Sequence, residues 1–227
     1  TRVRSSAASD VYKRQALTTS SGDITLVGKS SGAQGISTTA AGLITATNGN
    51  ISLTGSGPTG GVNLLAALSA GSGTKLRAIT LSGSSTVGHG VRTTAAAGLT
   101  ATGSLAITGF STAAGGLNLS GVVRSSVAGD IVLSGQAGSA STGVYLYGNA
   151  LTVAGGNLTV QGASLVGGVA TALPGTPATG SNYGFVASLA PITVSGEIDI
   201  RGQSSADTLF GIYADSTITS TAGNISL

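Results

Sequence analysis

The chain has no cysteine, methionine or tryptophan, one histidine, four prolines and eight aromatic residues (three Phe, five Tyr) in 227 positions. Without thiols it forms neither disulfides nor thiolate metal sites. Charge is also scarce, at 7% of residues, and unevenly placed. Residues 1–15 hold Arg2, Arg4, Lys13 and Arg14 against Asp10, so four of the ten basic and one of the seven acidic side chains sit there. The other 212 residues carry six of each sign, which leaves no basic stripe for nucleic acid or an anionic lipid surface. No apolar run approaches the ~18 residues of a membrane-spanning helix, and the short strand signals fall below the ~9–11 residues of a transmembrane barrel strand. Membrane insertion of this segment is therefore not expected.

What the chain has in quantity is glycine, 38 residues of it, with many serines and threonines. Such a composition would read as a disordered polar tract, because ordering each residue costs about 1–2 kcal/mol of backbone entropy. Two features oppose that: a mean hydropathy of +0.39 and aliphatic pairs that recur in phase. The motif is best seen in Gly49-Asn50-Ile51-Ser52-Leu53-Thr54-Gly55. Its first aliphatic recurs as Ile24, Ile51, Ile79, Leu105, Ile131, Leu158, Ile198 and Ile225, at steps of 27, 28, 26, 26, 27, 40 and 27. Its second aliphatic follows two residues later: Leu26, Leu53, Leu81, Ile107, Leu133, Val160, Ile200 and Leu227. A fixed period of this length is the signature of a solenoid.

Each unit holds three short strand signals separated by turns. The motif is the first, its period of two sending Ile51 and Leu53 one way and Ser52 and Thr54 the other. Glycine, often followed by Asn or Asp, precedes it and is expected to supply the unusual backbone angles of a tight corner. The second signal begins at Gly35, Gly61, Gly90, Gly116, Gly143 and Gly211, and in the sixth unit either at Gly168 or, favoured by the aromatic Phe185, at Gly184. The third begins at Ile44, Leu99, Leu151, Ile192 and Ile218, while the stretch from Leu64 to Lys75 shows no clear phase. One such coil cannot close an apolar face alone, but each strand can pair in parallel with its counterpart a turn away. The expected fold is all-β: a right-handed parallel β-helix of about eight coils, each of ~27 residues with three strands.

Two segments stand apart. Thr1–Gln15 lacks glycine punctuation and resembles translated sequencing-adaptor tails, so the rod is expected to span 16–227 and the tail to be non-native or disordered. The single 40-residue step implies a loop insertion at about 164–190, centred on Leu173–Asn182.

Candidates for chemistry are few. His89, in Gly88-His89-Gly90, has no sequence neighbour to act with and reads as a solvated turn residue. Glu197 and Asp199 alternate with Ile198 and Ile200, which puts two carboxylates on the outer face about 7 Å apart, a spacing compatible with an acid and base for glycoside cleavage. Neighbouring coils add no further carboxylate, so catalysis is not expected. Asp207 and Asp215 read as isolated turn residues, and no glycine-rich calcium nonapeptide is present. No metal, cofactor or catalytic residue is assigned. Tyr145, Val186 and Tyr213 take the outward position of the second strand, close to Tyr147 and Tyr183. This tyrosine surface, Tyr145, Tyr147, Tyr183 and Tyr213, is the candidate interaction surface, suited to a sugar ring or a partner protein. Outward threonine pairs, Thr45 with Thr47, Thr100 with Thr102 and Thr219 with Thr221, resemble the arrays of ice-binding solenoids, although Arg124 and Ala154 interrupt them.

The Gly-Asn-Ile-Ser-Leu-Thr-Gly units, Ala41–Gly49 and Thr221–Leu227 resemble the repeats of filamentous-haemagglutinin-like adhesins and autotransporter passengers, over about residues 16–227. That resemblance implies a bacterial protein, secreted or displayed on the outer surface of a Gram-negative cell, that serves as a structural rod in adhesion without catalysis. It implies as partners a host or neighbouring-cell surface protein or glycan, and an outer-membrane transporter during export. The family's export signal, secretion domain and anchor have no counterpart in these residues, and the chain lacks an initiator Met and ends within a motif, so an internal fragment of a longer protein is expected. The alternative reading is a secreted polysaccharide-active β-helix enzyme, a lyase or glycoside hydrolase; the third is an ice-binding solenoid.

Overall fold

A computed structural model describes residues 11–13, 16–138, 141–164, 183–204 and 210–227. Among these residues there is no helix; 24 strands, numbered β1 to β24 along the chain, form three parallel sheets of eight. The first sheet stacks the motif strands: β3 (Ile24–Lys29), β6 (Ile51–Ser56), β9 (Ile79–Ser85), β12 (Leu105–Ser111), β15 (Ile131–Ala137), β18 (Leu158–Ser164), β21 (Ile198–Gln203) and β24 (Ile225–Ser226). The second stacks β1 (Val11–Lys13), β4 (Gln34–Thr38), β7 (Gly60–Leu64), β10 (Val91–Thr93), β13 (Leu117–Leu119), β16 (Val144–Tyr147), β19 (Phe185–Ser188) and β22 (Ile212–Ala214). The third stacks β2 (Leu17–Thr19), β5 (Ile44–Ala46), β8 (Leu68–Ala70), β11 (Leu99–Ala101), β14 (Val123–Ser125), β17 (Leu151–Val153), β20 (Ile192–Val194) and β23 (Ile218–Ser220). The chain is a right-handed parallel β-helix.

Eight stacked strands are joined by seven circuits, so the rod has about seven turns and not eight; motif copies count levels, whereas a turn is the interval between two of them. The unclear stretch resolves into β8, paired with β5 and β11 through Leu68↔Ile44 and Leu68↔Leu99. Three residues of the tail also join the rod: Val11–Lys13 pairs in parallel with Ile36–Thr38 at the edge of the second sheet. Val and Tyr favour extended chain, and an open sheet edge accepts such a segment. The long step from Leu158 to Ile198 is taken up between β18 and β19, because Phe185–Ser188 pairs in register with Val144–Tyr147. The proposed loop centre, Leu173–Asn182, lies outside the described residues.

Register is kept so closely that like residues form vertical columns. Ile131 stands level with Leu105 on one side and Leu158 on the other, and Leu133 with Ile107 and Val160. Fourteen of the sixteen motif aliphatics are buried in one continuous core, where each contributes about 1.5–3 kcal/mol. Ile225 and Leu227, on the last level, stay 46% and 68% exposed because no coil covers them.

The glycines do something other than bend the chain. Of those preceding the motif strands, only Gly22 (φ +96°) and Gly129 (φ +144°) adopt left-handed backbone, which corrects the expectation of special angles at every corner. Most of the others are required by close approach. A methyl on Gly49 would lie 1.8 Å from the Gly22 carbonyl oxygen one coil below. The contact repeated from level to level is the crease between the first and second sheets. Methyls on Gly28, Gly55, Gly83, Gly109, Gly135, Gly162 and Gly202 would meet the carbonyl oxygens of Gly35, Gly61, Gly90, Gly116, Gly143, Gly184 and Gly211 at 1.9–2.1 Å. A methyl on Gly90 would in turn meet the next coil, 2.3 Å from the Phe110 nitrogen. Two backbones thus meet with no side chain between them, and the motif's closing glycine is fixed by sterics.

Side chains at the corners bind one coil to the next. The N–H of Asn50 donates to Asp23 Oδ1 (2.7 Å), that of Ala78 to Asn50 Oδ1 (2.9 Å), that of Asn157 to Asp130 Oδ1 (2.8 Å) and that of Glu197 to Asn157 Oδ1 (2.8 Å). The Asn or Asp of the motif is therefore an acceptor for the following coil. Buried Thr38 and Thr93 act alike, Thr38 Oγ1 accepting from Leu65 N–H and Thr93 Oγ1 from Ser120 N–H.

Candidate functional site

Alternation along each strand of the second sheet turns every other residue outward, and parallel register stacks those residues. One outward column runs Arg92, Asn118, Tyr145, Val186, Tyr213. Beside it Tyr147 stands level with Ser188, and Asp215 follows on the next level, its Oδ2 accepting from Ser188 Oγ at 2.9 Å. The structure thus brings together the tyrosines singled out from the sequence. The rings of Tyr145 and Tyr147 lie 5.8 Å apart, and those of Tyr183 and Tyr213 5.5 Å apart, both pairs tilted. Tyr147 and Tyr213 are 45% and 39% exposed, so their rings are open to a partner, whereas Val186 between the pairs is buried at 6% although it points outward.

Asp215 and Ser188 were not legible as members of this surface. Asp215 does serve a turn, but one that belongs to the coil below: its Oδ1 accepts the N–H of Leu189 at 2.7 Å and holds that residue at φ +52°. These hydrogen bonds, the Leu189 N–H first and the Ser188 hydroxyl second, hold the carboxyl below the usual carboxylate range. The Tyr145 phenol is pushed up by burial, and further by Tyr147 and the Asp215 charge. Asp207 lies outside the described residues.

The remaining candidates separate. Asp199 is bound to Arg201, Nη2 to Oδ2 at 3.0 Å and Nε to Oδ1 at 3.3 Å, while Glu197 sits at the preceding corner with its N–H on Asn157. Asp199 thus has a cationic partner two residues along its own strand. Among the described residues no three His, Asp or Glu gather where they could hold a metal ion. His89 is half-buried and not the solvated residue expected. Burial lowers its pKa, with Arg92 acting in the same sense and the Gly115 backbone opposing. Thr102 leaves the threonine array: it is 6% exposed, its hydroxyl donating to Lys75 O (2.6 Å) and accepting Arg77 N–H (3.0 Å). The outward column of the third sheet is a single file of hydroxyls, Thr45, Ser69, Thr100, Thr152, Thr193 and Thr219, broken by Arg124.

One feature escaped sequence reasoning. A shallow depression of about 310 Å³ opens where Ser56 and Ser84 stack below Phe110, with Pro58 also in its lining. The signal was the exchange of a small residue for Phe directly after the closing Gly109 of one repeat. Its volume is at the lower limit of small-molecule pockets, about 300–1,000 Å³.

Compared with known proteins, the chain matches no family model, no curated protein and no solved structure.

Proposed function

We propose that this β-helix is a structural rod segment of a secreted or surface-exposed bacterial adhesin of the filamentous-haemagglutinin-like kind, and that its tyrosine surface meets the partner. One observation carries the reading. Over most of its outer face the rod presents small hydroxyl residues, and among the described residues aromatic side chains gather in ring-paired contact only at Tyr145, Tyr147, Tyr183 and Tyr213. Tyrosine combines a large apolar face with a polar tip at low entropic cost, which suits recognition. The pairing of Asp199 with Arg201 gives the enzyme reading no support.

The test is adhesion of the purified chain to bacterial and host cells and to a panel of neutral glycans and uronans. Tyr213→Ser is expected to reduce retention several-fold without lowering the melting temperature. Retention unchanged by Tyr213→Ser and Tyr147→Ser removes the tyrosine surface from the reading. Turnover of any glycan that is lost in Glu197→Gln replaces the rod with an enzyme.

A further inference from the structure

The outer face of the second sheet near its C-terminal end is a grid of two columns. Tyr145, Val186 and Tyr213 form one; Tyr147, Ser188 and Asp215 form the other. Successive levels of such a grid lie about 4.8 Å apart, and alternate residues of a strand about 7 Å. One compact ligand group can therefore touch the Asp215 carboxylate and a tyrosine ring at once.

The charge of Asp215 is not compensated. The ion pair among the described residues is Arg201 with Asp199, on the first sheet, and none reaches Asp215. The hydrogen-bonding capacity of this carboxylate, in contrast, is largely used. Oδ1 accepts from Leu189 N–H at 2.7 Å and Ser216 Oγ at 3.2 Å, and Oδ2 accepts from Ser188 Oγ at 2.9 Å. A carboxylate offers about four acceptor positions, so about one remains. That is too few for the two-oxygen grip that a sugar diol or a guanidinium fork requires. A compact ammonium group needs only a negative potential and one lone pair. The surroundings favour it in two further ways. Phenol π-faces attract a cation within about 6 Å of the ring. The isobutyl group of Leu189, 64% exposed beside the carboxylate, offers apolar surface to a methylene stem.

From this arrangement, and resting on the reading of the tyrosine surface as the interaction face, we infer that Tyr145, Tyr147, Tyr213 and Asp215 receive a lysine side chain from a partner protein. The ammonium group sits between the carboxylate and the exposed rings, and the stem lies over Leu189. Uronates and phosphates are repelled by the same charge.

The chain reports on this directly. With no tryptophan and five tyrosines, all but Tyr12 on this face, its intrinsic fluorescence comes mainly from the surface in question. Tetralysine titrated into the full chain is expected to change tyrosine fluorescence saturably, and high salt to weaken the effect. Nε-acetylated tetralysine, close in size but without charge on its side chains, should bind about tenfold more weakly, and so should Asp215→Asn with tetralysine, since each removes one partner of the charge pair. Tyr213→Leu keeps the apolar cover and removes the phenol, and should weaken binding several-fold with an unchanged melting temperature. Equal binding of the acetylated peptide, or binding indifferent to both Asp215→Asn and Tyr213→Leu, overturns the inference. Saturable, Tyr213-dependent binding of a neutral probe such as cellotetraose, with none of tetralysine, also overturns it while leaving the tyrosine surface as the interaction face. Cell retention insensitive to Tyr213→Ser would instead remove that underlying reading.

Discussion

The crease between the first and second sheets offers a sharp test of the fold, because two glycine substitutions in one rod should move stability in opposite directions. At Gly109 a methyl would lie 2.1 Å from the Gly116 carbonyl oxygen, 2.5 Å from Leu117 Cδ2 and 2.7 Å from the Gly116 carbonyl carbon. Two of those three atoms are backbone, and Gly109 is held in register between Gly83 and Gly135, so neither strand can retreat alone. Overpacking of a core costs about 1–3 kcal/mol when side chains can adjust, and here the backbone must move, which places Gly109→Ala at about 3 kcal/mol or more. For a chain of this size each kcal/mol shifts the melting temperature by about 2–4 °C, so a fall of about 6–12 °C is expected. Gly98 is the matched control: a methyl there meets only Val122, at 3.8 Å, and its backbone is not left-handed. Gly98→Ala should raise stability by about 0.4–1 kcal/mol by restricting the unfolded chain. Thermal and urea melts followed by far-ultraviolet circular dichroism measure both. Equal shifts for the two variants, or a neutral Gly109→Ala, would show that the two backbones do not meet.

Neighbouring positions on β15 provide a second contrast: Ile131 is fully buried and Val132 is 41% exposed, so Ile131→Asp should abolish cooperative melting while Val132→Asp changes stability by less than about 1 kcal/mol. Ser125 fills an inward position between Ala101 and Val153, and its buried hydroxyl has no hydrogen-bond partner. Ser125→Ala is expected to stabilise the chain by about 1 kcal/mol in a urea melt, since an unsatisfied buried polar group costs about 1–3 kcal/mol. The half-buried His89 has a lowered pKa, so the fold prefers its neutral form. Stability is therefore complete above the unfolded pKa of about 6.5 and falls as pH drops through the folded value below it. His89→Gln should flatten that part of the pH profile between about pH 7 and 5, and a profile unchanged by the substitution would assign the acid sensitivity elsewhere.

Much of this architecture is legible in the order of the amino acids, for a reason visible in the aliphatic columns. Ile51 or Leu105 makes its contacts with the same position one period away, so the one-dimensional pattern already contains the three-dimensional neighbours. β8 and β14 were obscure because they break that pattern. Around Leu64–Leu68 a continuous apolar run permits two phases, and β14 places Ser125 inside with Arg124 outside. The motif's closing glycine was visible but its cause was not, because proximity of the Gly109 and Gly116 backbones is a property of the folded cross-section. The tyrosine surface was legible where it follows the strand period, at Tyr145 and Tyr213. Asp215 reads as an isolated turn residue because the residues it holds, Ser188 and Leu189, lie 27 and 26 positions away.

Four Asn and Asp side chains at the corner before the first sheet offer an oxygen in the same direction. Each oxygen of Asp23, Asn50, Asp130 and Asn157 is offered to the amide of the coil that comes later in the chain. A completed coil therefore holds ready a landing point for the polypeptide still to arrive. Substituting one of these side chains strips an acceptor from the coil that follows it in the chain, so at these corners each level leans on the one before it.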